Sequence, residues 1–369
     1  MRILQVVSLL TPDGAFGGPA RVALNQCAEL IRRGHEVTLA AGTRGYSTSL
    51  SELDDVPVKL FAARTVVPFV GFPGMAAPGL AHWLASHATE FDVVHIHFGR
   101  DLMVLPVAAV THRRRIPYVL QTHGMVTPSR QPLAPMLDAL LTRRILRDAA
   151  AACYLTDLER DQLRQVAGEA LRLTRLPNGV PSYPAPKAQS GPPEILFMGR
   201  LQTRKRPVLF VDMARSLLAD GLDARFTLVG PDEGEGAAVR AAIGDERRIS
   251  WTGPIDPGAV PKKLAAATVY VLPAEREPYP MAVLEAMAVG LPVVVRHDCG
   301  LARVIADSNS GVVADGSAVS LAAAVMTVLS DPVGYGRRAR DTARRDFTMA
   351  VIAERLEARY REAVTRSVS

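Results

Sequence analysis

From Val271 to Val295 the sequence reads VLPAEREPYPMAVLEAMAVGLPVVV, an apolar run, a polar loop, a helix-length segment and a second apolar run. Neither apolar run alternates with polar residues. A strand with that pattern is buried on both faces, as in a parallel sheet covered by crossover helices. Similar runs recur along the chain. RILQVVSLL, HEVTLAAG, VVHIHF, YVLQTHG, AACYLT and LRLTRLPNGV come first, and EILFMGRL, RFTLVGP, ISWTG, VYVLPA, PVVVRH and GVVAD follow. Helical patterns lie between them, such as PARVALNQCAELIRRG, RPVLFVDMARSLLADG and PKKLAAAT. This alternation predicts βαβ units and an α/β fold with largely parallel sheets.

The chain has 369 residues, which suits two domains rather than one. Tyr183–Pro193, rich in proline with serine and glycine, is the natural linker. The expected division is an N-terminal domain over 1–183, a C-terminal domain over 194–345 and a closing helix over 346–369. In that helix Met349, Ile352, Leu356 and Tyr360 form one apolar stripe.

Composition narrows the partners. The net charge of +6 favours anionic ligands or surfaces, but aromatic residues make up only 5%, a poor supply of stacking platforms for bases. No nucleic-acid partner is expected, and Arg113, Arg114 and Arg115 read as a solvated helix end. Cys27, Cys153 and Cys299 stand singly without metal-ligand spacing, and the first residues lack the pattern of a secretory signal. Both point to a cytoplasmic protein, with the inner membrane face as a further location. Thr65–Ala81 carries no charge and holds three prolines and three glycines. It reads either as a loop packed on the domain or as an apolar lip for a lipid-linked acceptor or peripheral membrane contact.

Several residues carry candidate chemistry. Gly17 and Gly18 follow the first strand and precede a helix expected to start near Pro19. Paired glycines there allow a phosphate close to the backbone, or simply make a turn. The full dinucleotide fingerprint is missing, and the second strand ends Ala40-Ala41-Gly42 with no acidic residue, which disfavours a nicotinamide dehydrogenase. His95 and His97 admit a metal site or buried hydrogen bonding. His123 ends a strand and opens a loop, where it can face a ligand. Gly199, Arg200 and Lys205 follow the first strand of the second half, where a guanidinium fork and a mobile ammonium suit a diphosphate. Arg204 and Arg206 between them read as a solvated face. Glu285 sits among apolar residues and needs donors, supplied by a ribose diol or by a nearby cation. Glu277 lies in the preceding loop, with seven residues between the two carboxylates.

At these residues the chain resembles the retaining glycosyltransferases of family 4. The resemblance spans nearly the whole chain. Its most specific part is Glu277 through Glu285, the E-x7-E motif, followed by Ala288-Val-Gly290-Leu-Pro292-Val-Val. Gly199-Arg200-Leu with Lys205, the Gly17-Gly18 pair and Pro177-Asn178-Gly179-Val180 also match. The resemblance implies a GT-B fold, with two Rossmann-like domains facing each other across a cleft and a C-terminal helix crossing back to the N-terminal domain. It also implies retaining transfer of a sugar from a nucleoside diphosphate to a glycan, lipid-linked or small-molecule hydroxyl. The uridine carrier is favoured and the guanosine carrier next, with no cofactor and no metal.

By the same resemblance Glu277, Arg200, Lys205 and His123 would form the catalytic set. Glu277 would meet the transferred sugar, Arg200 and Lys205 the diphosphate, and His123 the donor sugar. Gly17, Gly18, Gly199, Gly230, Met281, Ala282, Glu285 and Gly300 would line the substrate, with Glu285 on the ribose. The chain departs from the family pattern at Pro278-Tyr279-Pro280, where Gly-Phe-Gly is common, and at Arg303, where an acidic residue is common. The intact set of Glu277, Glu285, Arg200 and Lys205 argues against a non-catalytic nucleotide-sugar binder.

Overall fold

The computed structural model describes residues 1–12, 17–69, 71–129, 136–183 and 191–368. Most of the expected linker, 184–190, lies outside the described residues. The chain forms two compact units, Met1–Gly179 with Met349–Ser369, and Val180–Thr348. The first unit therefore reclaims the closing helix.

The first unit contains β1 (Arg2–Leu10), β2 (Glu36–Thr43), β3 (Glu52–Leu53), β4 (Val56–Ala62), β5 (Arg64–Thr65), β6 (Met75–Ala76), β7 (Val93–His97), β8 (Tyr118–Gln121), β9 (Ala151–Tyr154) and β10 (Leu173–Arg175). Its main sheet has the order β10-β9-β8-β7-β1-β2-β4-β3. Pairing is parallel except where β3 meets β4 at one edge. The direction of strand progression reverses between β1 and β7, so their carboxyl ends frame a ligand crevice. The helix after β1 begins at Gly17, two residues before the expected start. A Cβ at Gly18 would meet nothing within 4 Å, so the backbone is open to close approach there.

The second unit contains β11 (Glu194–Met198), β12 (Arg225–Val229), β13 (Ile249–Trp251), β14 (Val269–Leu272), β15 (Val293–Arg296) and β16 (Gly311–Ala314). Their order is β13-β12-β11-β14-β15-β16, parallel throughout. The switch point lies between β11 and β14, whose following loops carry Arg200 with Lys205 and Glu277. β14 and β15 are buried along their whole length, as their unbroken apolar runs require. Each fully buried valine or leucine in them contributes roughly 1.5–3 kcal/mol of hydrophobic stabilisation.

The closing helix, Met349–Val368, buries Ile352, Leu356 and Tyr360 completely in the core of the first unit. Gly179 makes this possible, because a Cβ there would lie 2.6 Å from Met349 Sδ. On the same helix Glu357 accepts hydrogen bonds from Arg33 at 2.5 Å and lies 3.2 Å from His35. The Arg33 guanidinium, opposed by burial and aided by His35, holds the Glu357 carboxyl down to about 2. The folded value is below the unfolded one, so this contribution to stability is complete above the ordinary carboxylate range. It fades as pH falls toward 2.

Thr65–Ala81 is more ordered than a plain loop. It contains the antiparallel β5–β6 hairpin and the start of the helix Pro78–His87. Met75, Ala76, Ala77 and Leu80 are buried, whereas Val66 is half-exposed and Phe69 fully exposed. The buried residues fit the reading of a segment packed on the domain. Among the described residues no single helix is long and apolar enough to cross a bilayer. Arg113, Arg114 and Arg115 are exposed at and beyond the end of the helix Val104–Arg113.

Candidate active site

In the second unit three loops at the carboxyl ends of β11, β14 and β15 are tied together. Glu275 N donates to Arg204 O at 2.8 Å, Gly300 N to Glu277 O at 2.9 Å, and Arg276 N to an Asp298 carboxylate oxygen at 3.0 Å. Glu277 is held within this knot, 7% exposed. Its Oε2 accepts from Lys205 Nζ at 2.8 Å and lies 2.9 Å from Arg204 Nη1. The structure thus brings Glu277 and Lys205 into direct contact. Arg204, expected on a solvated face, reaches the same carboxylate because the short 3-10 turn Thr203–Lys205 points both cations toward it. Arg206 is about as exposed as Arg204, and makes only a 3.7 Å approach to Glu275. Gly300 spends its N–H on the Glu277 carbonyl, so it positions Glu277 instead of offering that donor to a ligand.

Arg200 takes a different partner, Glu233, at 3.0 Å, with both side chains well exposed. Magnitudes separate the two cations. A surface pair of that kind is worth about 0–1 kcal/mol, so Arg200 can leave it at little cost. Lys205 is tied to a buried carboxylate, a contact that is costlier to break than a surface pair even though Arg204 shares that carboxylate.

Met281 and Ala282 open the helix Met281–Val289, which Pro280 precedes without a side-chain cap hydrogen bond, and the helix dipole makes that end positive. Glu285 is half-buried on this helix. Tyr270 is fully buried and feels the charge of both carboxylates. Burial first, then Glu285, then Glu277 push its hydroxyl well above the usual value, and that hydroxyl donates to Met198 O at 2.9 Å.

Gly199 and Gly230 pack backbone to backbone. Gly230 has φ 142°, and a Cβ on it would lie 2.0 Å from Gly199 O. Gly230→Ala is expected to displace the loop carrying Arg200 and Lys205. It should cost more than about 1 kcal/mol of stability and raise donor KM several-fold. Thermal unfolding and donor titration of the purified variant check this; unchanged Tm and KM would contradict it.

In the first unit His123 has left-handed φ 50°, a conformation that costs a non-glycine residue about 1–2 kcal/mol. Its neighbours are pinned by Glu159, 3% exposed. Thr122 Oγ1 and Gly124 N donate to one carboxylate oxygen of Glu159, both at 2.5 Å, and Leu155 N to the other at 2.6 Å. The backbone N–H of Glu159 donates in turn to Thr156 Oγ1, the N-cap of the helix Asp157–Ala167. Sequence reasoning missed Glu159, although Thr156-x-x-Glu159 is a legible capping box. His95 and His97 are fully buried and hydrogen-bonded to protein groups, the second of their two sequence readings. Among the described residues no three His, Cys, Asp or Glu side chains converge as metal ligands.

Two switched parallel sheets, the second with a cation-clamped carboxylate at its switch point, define a two-domain α/β enzyme of the GT-B class. Residues 17–179 match the glycosyl transferase 4-like domain, and residues 183–346 match glycosyl transferases group 1. The chain is 34% identical to the GDP-mannose-dependent alpha-(1-6)-phosphatidylinositol dimannoside mannosyltransferase of Mycobacterium tuberculosis, over 92% of this chain and 90% of that one. It is 25% identical to the D-inositol 3-phosphate glycosyltransferase of Corynebacterium efficiens, over 95% and 92% of the two chains. Among solved structures, sucrose-phosphate synthase from Thermosynechococcus elongatus shares the fold, with TM-score 0.75, 19% identity and coverage of 99% and 100%. The chain belongs to the group 1 glycosyltransferases and is a glycosyltransferase.

Proposed function

We propose that the protein transfers a hexose, with retention of configuration and without a metal ion, from a nucleoside diphosphate to a lipid-linked or glycan hydroxyl. The observation that carries this reading is the Lys205–Glu277–Arg204 cluster at the β11/β14 switch point, beside the N-terminus of the helix Met281–Val289. The diphosphate would lie against Lys205, Arg200 and that helix end, with Glu277 on the sugar and Glu285 on the ribose. As the bond from the sugar's anomeric carbon to the diphosphate oxygen breaks, negative charge grows on the diphosphate, and fixed cations stabilise it without reorganising. The acceptor oxygen bonds to the same face of the sugar, and its proton passes to the departing diphosphate. The cations take the place a divalent ion would hold, so EDTA is expected to leave turnover intact.

The 34% identical relative, named GDP-mannose-dependent, favours guanosine diphosphate mannose over the uridine carrier. Its phosphatidylinositol-based acceptor, with the exposed Val66 and Phe69 of the first unit, favours a lipid-linked acceptor and peripheral membrane contact. The test is nucleoside diphosphate release from a panel of nucleotide sugars, with and without EDTA, in the presence of a glycolipid acceptor. Release from GDP-mannose that survives EDTA is expected. No release from any donor, or activity that requires added Mg²⁺, would contradict the proposal.

A further inference from the structure

A continuous hydrogen-bond chain runs from His123 into the core of the first unit. His123 Nε2 lies 2.7 Å from His97 Nδ1, and His97 Nε2 lies 3.0 Å from Gln5 Oε1. Gln5 Nε2 donates to the Tyr360 hydroxyl at 3.4 Å, and that oxygen lies 2.7 Å from His95 Nδ1. Gln5, His95, His97 and Tyr360 are all fully buried, and His95 Nε2 at the far end is buried with no partner among the described residues. The rings of His97 and His123 stack with their planes 6° apart.

A neutral imidazole has one donor and one acceptor, so each link dictates the next. Burial holds the His95 and His123 rings down to about 3 and His97 well below its ordinary value, which keeps all three neutral near pH 7. With the Gln5 carbonyl oxygen on His97, His97 carries its proton on Nε2 and accepts at Nδ1. His123 must then donate through Nε2–H, which leaves its Nδ1 as a bare acceptor. At the other end the Tyr360 hydroxyl accepts from Gln5 and lies 2.7 Å from His95 Nδ1. Reversing the links from Gln5 to His123 requires the Gln5 amide to turn over and the protons on both His97 and His123 to move.

We infer that Gln5 and Tyr360 are positioning residues that set the tautomer of His123, leaving Nδ1 to accept a hydrogen bond from a ligand hydroxyl. Tyr360 belongs to the closing helix, so that helix helps to determine which hydrogen bond the site offers. The ligand half of the inference rests on the expectation, implied by the family resemblance, that His123 faces the donor sugar. The tautomer half does not.

The experiment is ¹⁵N-histidine NMR on the full chain, reading two-bond ¹H–¹⁵N correlations, followed by donor kinetics. The wild type is expected to show His97 and His123 protonated on Nε2 only. Tyr360→Phe keeps the ring and removes the hydroxyl, which releases the Gln5 amide. His123 should then become a mixture of tautomers, and donor KM should rise about two- to ten-fold, the scale of one hydrogen bond. His123 protonated on Nδ1 in the wild type would overturn the inference without any variant. An unchanged His123 signal in folded Tyr360→Phe would overturn the role of Tyr360. A shifted tautomer with unchanged KM would overturn only the ligand contact, and with it the proposed place of His123 beside the sugar.

Discussion

Lys205→Ala is expected to lower kcat about 10²–10³-fold, the range for removing one preorganised group from a developing charge. Lys205 is fixed by a 2.8 Å contact with a buried carboxylate, so its position costs nothing to organise at the moment of bond cleavage. Arg200→Ala should lose a similar amount, roughly 3 kcal/mol of transition-state stabilisation, because Arg200 moves to the diphosphate from a weak surface pair. The two variants should differ in stability. Lys205→Ala leaves Glu277 with Arg204 as a cation partner but without the ammonium, and is expected to lower Tm, whereas Arg200→Ala should leave Tm nearly unchanged. Steady-state kinetics and calorimetry on both proteins read these effects. Near-normal kcat in both folded variants would remove the cations from the chemistry.

Glu159→Ala should be among the most destabilising single changes in the first unit, by about 3–5 kcal/mol. Donors on the buried Thr122 and Leu155 and on the part-buried Gly124 lose a charged acceptor. For a unit of this size each kcal/mol moves Tm by about 2–4 °C, so a fall on the order of 10 °C is expected. Glu159→Gln should fall between wild type and Glu159→Ala, because its amide keeps one acceptor and sets an N–H against a donor. The His123 loop should loosen, so activity measured well below Tm should drop as well. A fall of less than 1 °C in Glu159→Ala would show that the three bonds do not hold the loop.

The parts legible in sequence were those written locally. Unbroken apolar runs marked the buried parallel strands, and the spacing from Glu277 to Glu285 marked a loop followed by a helix. Arg200 and Lys205 stood out because they follow a strand end. The parts not legible depend on contacts between distant segments. Nothing near Gln5 indicates that it meets His97 and Tyr360, and those partners come together only when β1, β7 and the closing helix pack. The contact of Arg204 with Glu277 was hidden for the same reason, since the sense of a 3-10 turn decides which neighbouring cation points inward. Gly300 resembled a ligand donor in sequence, but the fold uses its N–H on the Glu277 backbone.

The most direct measurement is calorimetric titration of guanosine and uridine diphosphate into the wild type and Lys205→Ala. The wild type is expected to bind one of them, guanosine diphosphate more tightly, without added metal. Lys205→Ala should lose at least about ten-fold in affinity, the equivalent of 1.4 kcal/mol. Failure of the wild type to bind either nucleotide, or equal affinity in the folded variant, would contradict a donor diphosphate held at Lys205.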